Sequence, residues 1–277
     1  MKRVATAVVL IPLVLLAVFQ APHWLFSILL GVVALLATHE YLSIVERHGF
    51  APFRKLTLLL ASLPFLPIPS GLDRIGKVSI VSYAMGYLLF WSPFVFLIRG
   101  LGIKELKSFL PTVTTSLLAL PYVVVPLAML GILRVWGNPL WILFLFVVVW
   151  SGDISAFYVG SRWGRRALAP RLSPKKTWEG LISGVIWGMV FGGLFGALWG
   201  LSAGPESQLN FGTGALVGLA VSLAGAVGDL GISMIKRQVG AKDSGAAMPG
   251  HGGMLDRIDS WLIGGVVGYY VIWLISR

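Results

Sequence analysis

Between residues 233 and 260 the chain runs SMIKRQVGAKDSGAAMPGHGGMLDRIDS, placing Lys236, Arg237, Lys242, Asp243, His251, Asp256, Arg257 and Asp259 inside an otherwise apolar sequence. Asp229 lies seven residues before Lys236, which on a helix is roughly 10 Å below the charged end. A carboxylate at that depth in a membrane must be paired, wetted or bound to a cation. Asp256 and Asp259 are spaced i, i+3 and share a helix face. With no cysteine in the chain, Asp229, Asp256 and Asp259 form a hard, all-oxygen set that suits Mg²⁺ held jointly with substrate phosphates. Lys236, Arg237, Lys242 and Arg257 can offset phosphate charge. The turn Pro249-Gly250-His251-Gly252-Gly253 offers backbone N–H groups with little side chain in the way. Together these are the means of phosphoryl or nucleotidyl transfer. Singly each has a plainer explanation: Asp259 as a helix cap, the glycines as a loop, His251 as a loop residue.

A second polar stretch, SRWGRRALAPRLSPKKTWEG at 161–180, ends in Ser173, Pro174, Lys175, Lys176 and Thr177 just before an apolar run. Hydroxyls, ammonium groups and a helix N-terminus at one place suit phosphate. The arginines from 162 to 171 are expected instead to form an ordinary basic loop against anionic lipid. No GxxxxGK[ST] occurs, which excludes a P-loop enzyme.

The elements that must position these residues are membrane helices. Of 277 residues 57% are hydrophobic and 12% charged, against about 25% charged in soluble domains. Runs of roughly 20 apolar residues predict nine spans, at 4–20, 23–44, 56–72, 78–98, 113–133, 139–160, 178–200, 211–235 and 259–276. The third is interrupted by Pro64, Pro67 and Pro69, so a kinked or re-entrant segment is expected there. Met1-Lys2-Arg3 begins like a secretory signal, but no convincing cleavage site follows, and the run is expected to be the first span. With the N-terminus cytoplasmic, 18 of the 22 Lys and Arg fall on the cytoplasmic side and 4 opposite. That asymmetry is the positive-inside pattern, so the net charge of +11 needs no nucleic-acid partner. The expected class is an all-α polytopic membrane protein. Residues 1–135 are expected to be mainly structural, a possible lipid-entry or dimer region, and 136–277 to carry a cytoplasm-facing site.

Gly180, Gly184, Gly188, Gly192, Gly196 and Gly200 recur every four residues, a smooth groove for close helix approach within the chain or at a dimer contact. Gly214 and Gly218 are expected to act likewise. Glu40 and Asp153 also fall inside spans. Glu40 is expected to have a structural role, and the task of Asp153 stays open.

The order Ser233, Lys236-Arg237, Lys242-Asp243, Pro249-Gly250-His251-Gly252-Gly253, Asp256-Arg257 and Asp259 resembles the signature of phosphatidate cytidylyltransferases, the CDP-diacylglycerol synthases. The segment 173–180 resembles a second block of that family, and Gly228-Asp229 stands where a third carboxylate is expected. The resemblance implies formation of CDP-diacylglycerol and pyrophosphate from CTP and phosphatidate by a dimeric inner-membrane enzyme. It also implies a Mg²⁺ cluster at Asp229, Asp256 and Asp259, and family members can additionally use K⁺. The candidate catalytic residues are Asp229, Asp256, Asp259 and Lys242. The candidate substrate-binding residues are Ser173, Lys175, Lys176, Thr177, Lys236, Arg237, His251, Gly252, Gly253 and Arg257. The alternatives are a related enzyme acting on another lipid phosphate and, from a different class, an ion-coupled transporter.

Overall fold

The computed structural model describes residues 2–66, 74–75, 78–135, 138–203, 209–246 and 252–275. Ten α-helices account for most of these: α1 (Lys2–Phe19), α2 (His23–Arg47), α3 (Arg54–Ser62), α4 (Ile80–Gly100), α5 (Leu106–Ala119), α6 (Val125–Val135), α7 (Leu140–Trp163), α8 (Trp178–Ala203), α9 (Phe211–Gln238) and α10 (Leu255–Ile275). Two short antiparallel hairpins accompany them, β1 (Arg74–Ile75) with β2 (Val78–Ser79), and β3 (Ala167–Ala169) with β4 (Ser173–Thr177). The chain is an all-α multi-pass membrane protein. Among the described residues seven helical segments are long and apolar enough to cross a bilayer.

The described residues bear on part of the nine expected spans. Of the run 56–72, described to residue 66, α3 has 9 residues and passes into a 3₁₀ turn at Leu63–Phe65, a break where the kink was expected. Nine residues rise only about 14 Å, half of what the hydrocarbon core requires, and Pro64 sits at the break. The run 4–20 does form α1, with 18 residues, although α1 is not among the seven segments. The expected span 113–133 starts earlier, because Pro111 lies inside α5. There α5 joins α6 through a π-helical turn, Leu120–Val124. Pro121 has no N–H to give to the ladder, and the widened turn accommodates that loss. Helix α10 begins at Leu255, four residues before the expected start.

The chain divides into two compact units, Met1–Pro139 with Ile235–Ile258, and Leu140–Met234 with Asp259–Arg277. In the first unit α2 buries Ala34, Ala37, Thr38, Tyr41, Leu42 and Val45. These recur at i, i+3, i+4 and i+7, a single helix face. The segment from α5 to α6 is buried through almost every residue between Val123 and Val135. Ser116 ties in the short α3: its Oγ accepts from the Phe53 N–H at 2.8 Å and donates to the Thr112 carbonyl at 2.6 Å.

In the second unit the four-residue glycine repeat works within the chain. Its first members face α7 and its later ones face α9: a Cβ at Gly184 would lie 3.1 Å from the Gly152 carbonyl oxygen, and one at Gly218 would lie 2.9 Å from the Met189 Cα. The helices are therefore in backbone contact, as small-residue packing in lipid requires. Large apolar side chains such as Leu198, Leu216, Phe157 and Leu274 remain exposed. In a membrane protein these are the surface offered to hydrocarbon.

Candidate active site

In the first unit the loop after α9 returns the chain to the start of α10, and two carboxylates organise it. The Asp256 Oδ1 faces the Lys236 Nζ at 2.5 Å, and both side chains are buried. The Asp256 Oδ2 accepts from the Ser244 N–H at 2.7 Å and the Gly253 N–H at 3.0 Å, and lies 3.0 Å from the Ser244 Oγ, whose single proton it shares with Glu40. From α2, the Glu40 Oε1 accepts from the Met254 N–H at 2.9 Å. Its Oε2 accepts from the Leu255 N–H at 2.9 Å and the Ser244 hydroxyl at 2.8 Å. The first amides of a helix have no partner within it and carry the positive end of its dipole. Glu40 supplies that partner for Leu255 and for Met254 just before it, so Asp259, in the second turn of α10, is not the cap. Gly252 enters this turn at φ +81°, a conformation that favours glycine.

Several expected contacts take a different form. The Gly253 N–H is engaged by Asp256 and is not left open for phosphate. Both oxygens of Asp256 are engaged as well, so it stands as the partner of Lys236. Arg237 reaches back to the Ala241 carbonyl at 2.9 Å, while Lys242 and Arg257 are exposed. His251, with Pro249 and Gly250, lies outside the described residues.

The second unit gathers a different set. Asp153 of α7, Asp229 of α9 and Asp259 of α10 lie within electrostatic range of one another and of Lys176 on β4. Lys176 forms an ion pair with Asp229, and Asp153 shares a hydrogen bond with the Ser260 side chain. The approach of the helices follows from glycine: a Cβ at Gly228 would lie 2.5 Å from the Asp259 carbonyl oxygen, and one at Gly152 would lie 3.2 Å from the Gly184 carbonyl oxygen. Each Gly-Asp pair thus brings a helix close and places a carboxylate at the contact. That repeated pair, Gly152-Asp153 and Gly228-Asp229, is the signal that could have drawn Asp153 into the site from sequence.

The hairpin of β3 and β4 presents the other basic residues. Ser173 to Thr177 form β4, whose Thr177 pairs with Ala167. Thr177 then caps α8, its Oγ1 accepting from the Gly180 N–H at 3.1 Å. Glu179 receives the N–H groups of Arg165 and Arg166 at 3.1 and 3.3 Å, pinning the basic loop to the start of α8. Lys175 is exposed and Ser173 half-buried.

Among the described residues no three Asp, Glu, His or Cys side chains stand in a metal-ligand arrangement. The donor chemistry of the second unit still fits a hard divalent cation, since three carboxylates face a single ammonium. Mg²⁺ needs only one or two carboxylates when substrate phosphates complete its shell.

A model described as the cytidylyltransferase family matches residues 1–275. The chain is 31% identical over 271 residues to the phosphatidate cytidylyltransferase of Synechocystis sp., covering 91% of this chain and 89% of that protein. It is 46% identical to the phosphatidate cytidylyltransferase of Brucella abortus over 118 residues, 43% of this chain and 41% of that one. It is also 31% identical over 272 residues to the uncharacterized protein YnbB of Escherichia coli, covering 92% and 81% of the two chains.

Proposed function

The chain belongs to the cytidylyltransferase family, and from that premise we propose that it transfers the cytidylyl group of CTP to phosphatidate, releasing pyrophosphate. A phosphatidate oxygen attacks the α-phosphorus of CTP, the bond from that phosphorus to the bridging oxygen of the β-phosphate breaks, and that oxygen leaves with pyrophosphate. The second pKa of a phosphate monoester is about 6, so the nucleophile is largely dianionic at neutral pH and needs no strong general base. What the protein must supply is position and charge compensation.

The observation that carries this proposal is the grouping of three carboxyl groups, Asp153, Asp229 and Asp259, about the single ammonium of Lys176. A divalent cation, the class this family generally uses, would hold all three ionised. In our proposal that cation is Mg²⁺, held by Asp229 and Asp259 with Asp153 beside them, and it would lower the charge of the CTP phosphates; a second cation such as K⁺ is compatible with the remaining carboxylate. Asp256 keeps Lys236 in place. Lys236, Lys242 and Arg257, and likewise Ser173, Lys175 and Lys176, are the basic and hydroxyl groups that would offset phosphate charge in this proposal. Arg237, Thr177, Gly252 and Gly253 shape the backbone that carries these groups, and His251 stays a candidate for CTP contact. The active side is cytoplasmic and the membrane the bacterial inner one, with the lipid tails remaining in the bilayer. The working unit in this proposal is a homodimer.

The experiment is incubation of the detergent-purified chain with α-³²P-labelled CTP, Mg²⁺ and phosphatidate, followed by chromatography of the lipid phase. Label entering lipid only when both Mg²⁺ and phosphatidate are present supports the proposal. Label that enters only with a different lipid phosphate replaces the substrate, and no label with any lipid phosphate overturns the reaction.

A further inference from the structure

Glu40 is buried, at 6% exposure, and has been given no part in phosphate or cation binding above. It is nevertheless joined to residues 204, 214 and 215 positions away, Ser244, Met254 and Leu255. Helices are ordinarily capped by a local Ser, Thr, Asp or Asn. Here a carboxylate is brought from α2 to the first amides of α10.

We propose that Glu40 is a positioning residue for the transfer reaction, acting through Ser244 on Asp256 and so on Lys236; this rests on the function proposed above. The Ser244 hydroxyl lies 2.8 Å from the Glu40 Oε2 and 3.0 Å from the Asp256 Oδ2. The Ser244 N–H is held by Asp256 at 2.7 Å. One serine therefore joins the two carboxylates, and the orientation of Asp256 follows that of Glu40. The pocket around Glu40 is filled: a Cβ at Gly245 would lie 2.6 Å from the Glu40 Oε1, and one at Gly253 would lie 2.6 Å from its Cδ. The carboxylate has no room to turn away, and its two oxygens meet three donors. A glutamine there keeps one acceptor oxygen and turns an NH₂ group toward an amide N–H, leaving donors unmatched at the entry to α10.

The test combines hydrogen exchange with steady-state kinetics on the full-length, detergent-purified protein as wild type, E40Q, S244A and E40Q/S244A. Exchange across residues 252–256 is expected to rise about tenfold in E40Q. Its kcat is expected to fall about 30-fold while KM for CTP moves less than about threefold. Because the two residues act along one line, the double variant should lie within about threefold of E40Q, well short of the product of the single losses. A multiplicative double variant overturns the link through Ser244. Wild-type exchange and kcat in E40Q overturn the role altogether. Should E40Q not elute as folded protein, S244A is read alone: faster exchange over 252–256 with lower kcat supports the proposal, and wild-type values for both overturn it. If the wild type transfers no cytidylyl group, the transfer reading fails by itself, and the exchange arm still decides whether Glu40 holds α10.

Discussion

The two units treat their carboxylates in opposite ways. In the first, Glu40 and Asp256 are surrounded by donors: the Lys236 ammonium, the N–H groups of Ser244, Gly253, Met254 and Leu255, and the Ser244 hydroxyl. In the second, Asp153, Asp229 and Asp259 share one Lys176. A satisfied polar network fixes a backbone and has little left to give a ligand. A carboxylate cluster with excess charge is receptive to a cation. In the proposed mechanism the first network holds the loop and Lys236, and the second cluster serves the reacting phosphates.

The largest test of that division is at the receptive cluster. D229N or D259N should lower turnover by about 10³-fold, roughly 4 kcal/mol of transition-state stabilisation; in D259N, which breaks no ion pair, the melting temperature should hold or rise because a like charge has been removed. Retention of full activity in both variants would dissolve the distinction. In the satisfied network the order of effects should reverse. K236M leaves Asp256 buried without its cation, and breaking such a pair destabilises by about 3–5 kcal/mol. Thermal unfolding in detergent should report that loss, together with reduced transfer. A K236M protein that melts like wild type would show that the pair does not hold the loop.

Smaller effects sharpen the role of the glycine contacts. Gly218→Val places a side chain against the backbone around Gly188 and Met189, and overpacking of this kind destabilises by about 1–3 kcal/mol. The accompanying loss of activity should track the loss of folded protein, which a comparison of specific activity before and after mild heating measures. The smallest effect is expected from T177A, which removes the cap on α8 at a cost of about 1 kcal/mol. If T177A instead raised KM for CTP more than about tenfold with unchanged stability, Thr177 would be a phosphate ligand as well as a cap.

Much of the fold is legible in apolar run length alone, because a bilayer demands a stretch of fixed length whatever its packing. That is why 23–44, 78–98, 139–160, 178–200 and 211–235 each reappear as a helix within a few residues. Run length misleads where proline decides, ending α3 near Pro64 yet being absorbed into α5 at Pro111 and into the π-helical turn at Pro121. The glycine repeat was legible as a close-packing face, since its spacing is a property of one helix. The site was legible as residue types and only partly as groupings. Asp256 and Asp259 share a face, but sequence spacing does not say that Ser244 and Lys236 engage the first while Asp153 and Asp229 surround the second. Glu40 was the least legible, as its three partners lie more than 200 positions away.

The most direct measurement is Mn²⁺ binding, followed by electron paramagnetic resonance, on detergent-purified wild type, D229N, D259N and E40Q in the presence of CTP. The account predicts one saturable Mn²⁺ site in the wild type and in E40Q, weakened at least about tenfold in both D229N and D259N. Wild-type Mn²⁺ affinity in both aspartate variants, or a loss in E40Q as large as theirs, would contradict the division between a cation cluster and a holding network.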